Sequence, residues 1–375
     1  MNKNKKFVFN DFVVQYNECN FSCDYCLNKL KPDETEIWKS TNQFGVPSYS
    51  ETKIYDYEYV GELKSRIDTT INNFREAIDA PILRISGGEI LGMKNVKELL
   101  SNVCKEYEIV QIVTNGFFLE SDMVEYLRDL GNIHIHFSID GHTQELNYYR
   151  VKNKIIHDKL LKNLETCVIN DIPIEISSVL TNRNTKEYES FVQYLMRYRG
   201  RKLKVFPAPV RGEHAKHLFP NSDDIDEFET ILQRYEQYRE ILPPKPYMLN
   251  LVRFLKLGRK ETQCFIPVAA IQSLDNGALT ACPNGWTSQI ANVCFDTAED
   301  VVNNIKTNKI YTVMTQKRPR LMYCKECYTA YEVINLFFSN SITEAELRTI
   351  PLYNNANVFE RIKEVKKCGR KNYRC

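Results

Sequence analysis

Twelve cysteines occur in 375 residues, and seven of them fall into two groups whose spacing suits metal binding. The first group, Cys19-Asn20-Phe21-Ser22-Cys23-Asp24-Tyr25-Cys26, is a C-x3-C-x2-C arrangement that lets three thiolates converge on one inorganic cluster. A [4Fe–4S] cluster usually takes four cysteines, so three leave one iron open to a substrate or cofactor, the distinction that also separates catalytic from structural zinc. An open iron implies chemistry. A zinc knuckle that borrows a distant fourth ligand is the bland alternative. In the second group, Cys264 is followed by twelve residues, Gly277, four residues and Cys282, and later by Cys324-Lys325-Glu326-Cys327. Asp275-Asn276-Gly277 between apolar runs at 269–274 and 278–282 is a hairpin signal that would return Cys282 toward Cys264, with two further ligands from the C-x2-C.

The elements that must position these groups read as strand and helix units. Short β-rich runs start at Ile82 (ILRIS), Ile109 (IVQIV), Ile133 (IHIHFSI), Ile174 (IEISSVL) and Leu203 (LKVF). Between them, apolar residues recur at helical spacing in Val96, Leu99, Leu100, Val103, in Met123, Tyr126, Leu127, Leu130, and in Tyr188, Phe191, Val192, Leu195. With a run at 12–16 this makes six strands, and right-handed βα units of this kind predict an α/β partial (β/α)6 TIM-like barrel. The span from Tyr16 to Ile82 exceeds what one helix needs, so 28–80 reads as an insertion, polar over 31–60 and helical over 59–78. Leu242-Pro243-Pro244-Lys245-Pro246 reads as a stiff linker. It divides the chain into a barrel domain, 1–240, and a smaller α+β domain, 241–375, with the second cysteine group and C-terminal helices. One of those helices is expected to start at Ser341, with Glu344 in capping-box register.

Further motifs sit on these elements. Ser86-Gly87-Gly88-Glu89 follows the second strand, Thr114-Asn115-Gly116 the third, and Ser138-Ile139-Asp140-Gly141, with Tyr149-Arg150 downstream, the fourth. Each lies just past the carboxyl end of a strand, the rim on which barrel sites assemble. With the cysteine loop, these residues resemble the radical S-adenosylmethionine (radical SAM) superfamily from residue 10 to about 210. The resemblance implies that Cys19, Cys23 and Cys26 hold a [4Fe–4S] cluster whose open iron takes SAM. It also implies that Gly87, Gly88, Glu89, Thr114, Asn115, Ser138, Asp140 and Arg150 form the SAM site, with the Glu89 carboxylate toward the SAM ammonium. The implied chemistry is reductive cleavage of SAM to a 5'-deoxyadenosyl radical that abstracts hydrogen from an unactivated C–H bond. Ile90 stands where the family often has proline. The second group resembles the cysteine–glycine–cysteine element of SPASM and twitch domains, which hold auxiliary [4Fe–4S] clusters. The longer cysteine continuation of a full SPASM domain is absent, so one auxiliary cluster at Cys264, Cys282, Cys324 and Cys327 is implied, with a four-thiolate zinc site as the alternative.

The likeness of residues 134–184 to sulfatase-maturing enzymes and ribosomal-peptide maturases implies a peptide or protein substrate, and an electron donor such as flavodoxin or ferredoxin. Pro283 stands where sulfatase-maturing enzymes carry a catalytic acid, which argues against sulfatase maturation. With 18 residues ahead of Cys19, a peptide is expected to be recognised by the barrel, the insertion or a separate protein. The alternative is a small-molecule radical dehydrogenase or rearrangement enzyme with the auxiliary cluster as electron acceptor. A third reading, a non-catalytic metal-binding protein, is opposed by the intact Cys19, Cys23, Cys26 and Glu89. His134 and His136 share a strand face and read as satisfied core or sheet-surface side chains, and Cys167 as a small core hydrophobe. Arg211 reads equally as a substrate contact or a solvated turn charge. Cys104, Cys294, Cys368 and Cys375 carry no assigned role, although Cys294 could serve as a hydrogen-atom donor or extra ligand at the second group. The 50 basic against 48 acidic residues leave +2, no electrostatic reason for a nucleic-acid duplex or an anionic membrane as partner. A basic start breaks at Asn10-Asp11 and no apolar run approaches about 18 residues, so the expected location is the cytoplasm, where thiols stay reduced.

Overall fold

The computed structural model describes residues 5–14, 19–27, 63–285 and 287–369. Six parallel strands alternate with helices: β1 Phe9–Val13, α1 Leu63–Ala77, β2 Ile82–Ser86, α2 Val96–Val103, β3 Ile109–Thr114, α3 Ser121–Leu130, β4 Ile133–Ser138, α4 Lys154–Ile169, β5 Ile174–Leu180, α5 Tyr188–Leu195 and β6 Leu203–Pro209. Then come α6 Ser222–Glu229, α7 Lys245–Leu257, the strands β7 Ala270–Leu274, β8 Ala278–Thr280 and β9 Gln289–Asn292, and the helices α8 Ala298–Thr307, α9 Glu332–Phe338 and α10 Ala356–Gly369. The nine strands form one sheet in the order β9-β8-β7-β1-β2-β3-β4-β5-β6. It is an α/β partial barrel. The first strand lies three residues earlier than the run at 12–16, because Phe9 and Phe12 pack into the core and Phe9 pairs with Ile82.

The helices cover the sheet as their patterns require. Val96, Leu99, Leu100 and Val103 of α2 are buried, as are Tyr188, Phe191, Val192 and Leu195 of α5. Each such side chain contributes roughly 1.5–3 kcal/mol of burial. In α3 the buried stripe is Val124 and Leu127, with Met123, Tyr126 and Leu130 packed along its margin. Of the expected insertion, α1 is present and residues 28–62 lie outside the described residues, as does Cys375.

The hairpin at 269–282 forms as β7 and β8, but it also extends the barrel sheet: β7 pairs in parallel with β1 in five register positions from Phe9↔Ala270 to Val13↔Leu274. The proline run is the start of a helix. Pro243 and Pro244 are buried, Pro244 caps α7, and Pro246 sits in the first turn, where a missing N–H costs nothing. The C-terminal capping box is Thr343 with Glu346, two residues beyond the expected register: the Thr343 hydroxyl accepts from the Glu346 amide at 3.2 Å and the Glu346 carboxylate from the Thr343 amide at 2.7 Å. From α10, Arg361 donates to the carbonyls of Phe7 (3.2 Å) and Asp79 (2.8 Å), which ties the chain end to the lead-in of β1. Among the described residues no helix is long and apolar enough to cross a membrane.

Candidate active site

The loop after β1 places Cys19, Cys23 and Cys26 close enough to interact electrostatically, and all three are free thiols. Burial pushes the Cys23 thiol up to about 11. The Cys19 sulfur accepts from the amide of Phe21 at 3.4 Å and from Asn115 Nδ2 at 3.8 Å. Asn115 also donates to Asn20 Oδ1 at 2.8 Å, so the Thr-Asn-Gly turn after β3 braces the cysteine loop directly. That turn needs its glycine: Gly116 has φ +84°, and a Cβ there would lie 2.2 Å from the Phe137 ring.

After β2, the backbone must pass close to the end of β1. A Cβ on Gly87 would meet the Val14 carbonyl at 2.8 Å. Glu89 is 1% exposed, and its carboxylate accepts from Thr114 Oγ1 (2.7 Å), the Asn115 amide (2.7 Å) and the Leu91 amide (3.1 Å). Burial nevertheless raises its pKa. Among the described residues three of about four acceptor positions are used. Gly88 lies beside it on the same turn, half-buried.

Asp140, past β4, is the centre of a second brace. It is buried, pairs with Arg150 through two bonds (3.1 and 3.2 Å), accepts from the Val179 amide at 2.8 Å and takes the Tyr25 hydroxyl. The Arg150 guanidinium stacks 5.5 Å from the Tyr25 ring centroid, and Asp24 N donates to the Tyr149 carbonyl at 2.8 Å. The Asp-Gly…Tyr-Arg segment therefore clamps the cysteine loop at Asp24 and Tyr25. Tyr25 was not singled out from the sequence; its place between Cys23 and Cys26 is the signal that could have marked it.

The four cysteines of the second group lie within electrostatic reach of one another. Cys282 and Cys324 each interact with the other members, and Cys264 with Cys327. All four are free thiols, raised by burial where a shift is seen, and the Asn284 amide lies 3.5 Å from the Cys282 sulfur. Among the described residues no group of three or more His, Cys, Asp or Glu is arranged to hold a single metal ion. Cys294 is elsewhere. Because β8 runs away from the 275–277 turn and β9 returns to it, Cys294 packs at that turn, 3.6 Å from Thr70 Oγ1, at the opposite end of the hairpin from Cys282. Cys167 is fully buried in the core.

Between the two cysteine groups lies a cavity of about 350 Å³. Cys23, Cys26, Ser138 and Arg150 line one part, and Asn284, Tyr328 and Thr329, neighbours of Cys282 and Cys327, line another. Arg211 lines it too, donating to the Asn284 carbonyl at 3.1 Å across the open side of the barrel. The floor is polar. Arg84 pairs with Asp11 (3.0 Å), Tyr331 donates to Asp11 (2.6 Å), and Gln111 donates to Glu175 (2.5 Å). His136 is a cavity wall rather than a satisfied core histidine: its Nδ1 is buried with no hydrogen-bond partner among the described residues, and burial with Arg84 and Arg150 holds the ring neutral. His134 opens on a different surface, and burial pushes it down to about 4. The sequence signal for this floor is the polar residues set within the apolar runs, Arg84, Gln111, His136 and Glu175 among them.

Residues 13–195 match the radical SAM superfamily. An uncharacterised protein of Methanocaldococcus jannaschii is 26% identical over 242 residues, 61% of this chain and 73% of that protein. A probable GTP 3',8-cyclase of the same organism is 22% identical over 180 residues, and the subtilosin biosynthesis protein AlbA of Bacillus subtilis 21% over 271. They align with 48% and 65% of this chain, which spans 52% and 56% of their own lengths. Among solved structures, anSMEcpe with bound AdoMet superposes with a TM-score of 0.55 at 14% identity, covering 92% of this chain and 99% of that one. Streptococcus suis SuiB bound to S-adenosylmethionine gives 0.52 at 13%, covering 78% and 65%. The matched segment, just under half of the chain, carries the cysteine loop, Glu89, Asn115 and Asp140 on successive strand ends, and it is accordingly a radical SAM domain.

Proposed function

We propose that the chain abstracts hydrogen from a peptide or protein side chain held in the cavity between two iron–sulfur sites, as a maturase or oxidoreductase. The observation that carries this reading is the shared cavity, walled by Cys23 and Cys26 on one side and by the neighbours of Cys282 and Cys327 on the other. The residues suit the groups. Three free thiols in an amide-braced loop suit a [4Fe–4S] cluster with one open iron at Cys19, Cys23 and Cys26, and four free thiols within electrostatic reach of one another, Cys264, Cys282, Cys324 and Cys327, suit in number a fully ligated auxiliary cluster. SAM held beside that cluster would supply, on reduction, the carbon radical that abstracts hydrogen. The chain's residues bind and orient around it. Gly87, Gly88 and Glu89 offer a close backbone and a carboxylate for the ammonium, and Thr114 and Asn115 hold that carboxylate. Ser138 and Arg150 face the cavity, while Asp140 holds Arg150 in place. Tyr328 and Tyr331 wall the cavity from the C-terminal side, which excludes water from the reacting carbon.

A peptide substrate is supported by the relative AlbA, a bacteriocin biosynthesis protein, and by the anSMEcpe structure bound to a Cp18Cys peptide, TM-score 0.53. The GTP 3',8-cyclase relative favours the second reading, a small-molecule substrate. We assign residues 1–240 to SAM chemistry and 241–375 to the auxiliary site, with reduction by a flavodoxin or ferredoxin in the cytoplasm. The test is iron and acid-labile sulfide per chain after anaerobic reconstitution. About eight irons, falling to about four in a Cys19, Cys23, Cys26 triple alanine variant, support two clusters. About four irons with zinc in the remainder would make the second site structural. Formation of 5'-deoxyadenosine stimulated by short peptides, or instead by nucleotides, separates the two substrate classes.

A further inference from the structure

Behind the second cysteine group lies a charged network that thiol ligation does not itself require. Lys260 and Glu332 are 7% and 3% exposed, and their side chains form an ion pair. Glu332 also accepts from Asn335 Nδ2 at 2.8 Å and from Thr262 Oγ1 at 3.3 Å. Asn335 reaches the cysteines in two ways. Its Oδ1 takes the amide of Phe265, the residue after Cys264, at 2.7 Å, and its Nδ2 lies 3.8 Å from the Cys264 sulfur. The backbone amide of Lys260 donates to the Lys325 carbonyl at 2.6 Å, inside the C-x2-C turn. The Lys260 ammonium interacts electrostatically with Cys264, Cys324 and Cys327, and the Glu332 carboxylate with Cys264.

Apolar side chains of equal volume would hold these elements together as well as a buried ion pair does, so the pair's position beside the thiols is the informative fact. Charge and N–H···S hydrogen bonds around the sulfurs are the means by which a protein sets an iron–sulfur potential. We propose that Lys260, Glu332 and Asn335 are positioning residues that set the reduction potential of a cluster held by Cys264, Cys282, Cys324 and Cys327. This rests on the auxiliary-cluster assignment above. Reduction adds negative charge to the cluster; the ammonium favours that state and raises the potential, whereas the carboxylate lowers it. Asn335, oriented by Glu332, adds a hydrogen bond to Cys264 that acts in the same direction as the lysine.

The test is an anaerobic redox titration of the reconstituted full-length protein, followed by electron paramagnetic resonance, with iron counted in each sample. Glu332→Gln keeps the lysine charge and should raise the auxiliary midpoint. Lys260→Met should lower it, Lys260→Arg should restore it, and the double variant Lys260→Met/Glu332→Gln should return toward wild type. Asn335→Leu should lower it. A purely structural ion pair would not give shifts of opposite sign, so equal midpoints at unchanged iron content overturn the proposal. If Lys260→Met loses the cluster, Glu332→Gln alone decides, and a fall or no change there overturns it. About four irons in the wild-type protein would instead overturn the cluster assignment beneath it.

Discussion

Asp140 carries more of the site's architecture than any cysteine does, and Asp140→Ala should show it. Its carboxylate and the Arg150 guanidinium are 3% and 9% exposed, and removing one member of such a pair leaves an uncompensated buried charge at roughly 3–5 kcal/mol. The Val179 amide and the Tyr25 hydroxyl lose their acceptor in the same step, each worth roughly 1 kcal/mol or more. The losses are not additive, and about 4 kcal/mol is a fair total against the roughly 5–15 kcal/mol that folded chains have. That is about a thousandfold in the folded-to-unfolded ratio. Tyr25→Phe, which removes one hydroxyl, should cost about a quarter of that. Because Tyr25, Asp24 and Arg150 clamp the cysteine loop, the damage should be local as well: Asp140→Ala should lose the irons at Cys19, Cys23 and Cys26 and keep the others. Chemical denaturation followed by circular dichroism gives the first quantity and iron analysis the second. Asp140→Ala/Arg150→Leu, in which no lone charge is buried, should recover much of the stability but not the irons. A double variant no more stable than the single one, or Asp140→Ala within about 1 kcal/mol of wild type with its irons intact, would refute the reasoning.

Gly116→Ala forces a side chain into a left-handed backbone and against Phe137, at roughly 1–2 kcal/mol for the backbone alone, and should detach Asn115 from the cysteine loop. Weaker SAM binding by calorimetry together with a lower melting temperature is expected, and unchanged SAM affinity would count against Asn115 as a brace. Lys204, 5% exposed, donates to the carbonyls of Arg239 and Leu242, and burial pushes its pKa from 10.5 down to about 8. Between those pH values the unfolded chain holds the extra proton, so stability rises with pH, by roughly 3 kcal/mol at most. Lys204→Met should flatten the pH-stability curve from about 8 to 10.5, and parallel curves for the two proteins would show that Lys204 keeps its ordinary pKa.

The six strands of the βα units, the helices with a single apolar stripe and the rim motifs were legible in the sequence because each depends on local spacing, whereas the pairing of β7 with β1 in the same sheet was not. Val96, Leu99, Leu100 and Val103 had one face to offer, and it is buried. The first strand begins three residues earlier than expected because Phe9 pairs with Ile82, a long-range contact that local pattern does not reveal. The proline run suggested a linker since X-Pro disfavours helix, yet Pro244 and Pro246 sit before and within a first turn, where proline is tolerated. The partners of the motif residues could not be read at all. That Glu89 would hold the Thr-Asn-Gly turn, or that Asp140 would reach back to Tyr25, depends on contacts across 26 and 115 residues of chain. His136 was misjudged for the same reason, since alternation gives its face but not whether a partner stands opposite.

The join between the barrel and the C-terminal segment leads to a final prediction. The polar floor is completed from both sides of residue 240: Asp11 and Arg84 come from β1 and β2, but Tyr331, which donates to Asp11 and stacks 5.4 Å from the Arg84 guanidinium, comes from the turn before α9. Likewise β1 is a central strand only because β7 pairs along its full length. A chain ending at 240 would turn β1 into an exposed edge with five unpaired positions and leave Phe9 without its edge-on packing against Tyr331 and Tyr353. It should therefore be insoluble or lack a cooperative melt, even though the three cysteines and every rim motif are present. Expression of 1–240 beside the full chain, scored by soluble yield and differential scanning calorimetry, decides this. A soluble fragment with a sharp transition that still binds SAM would mean that β7 and Tyr331 merely cover a barrel that is already complete, and that the cavity's second wall can be exchanged without loss of the first.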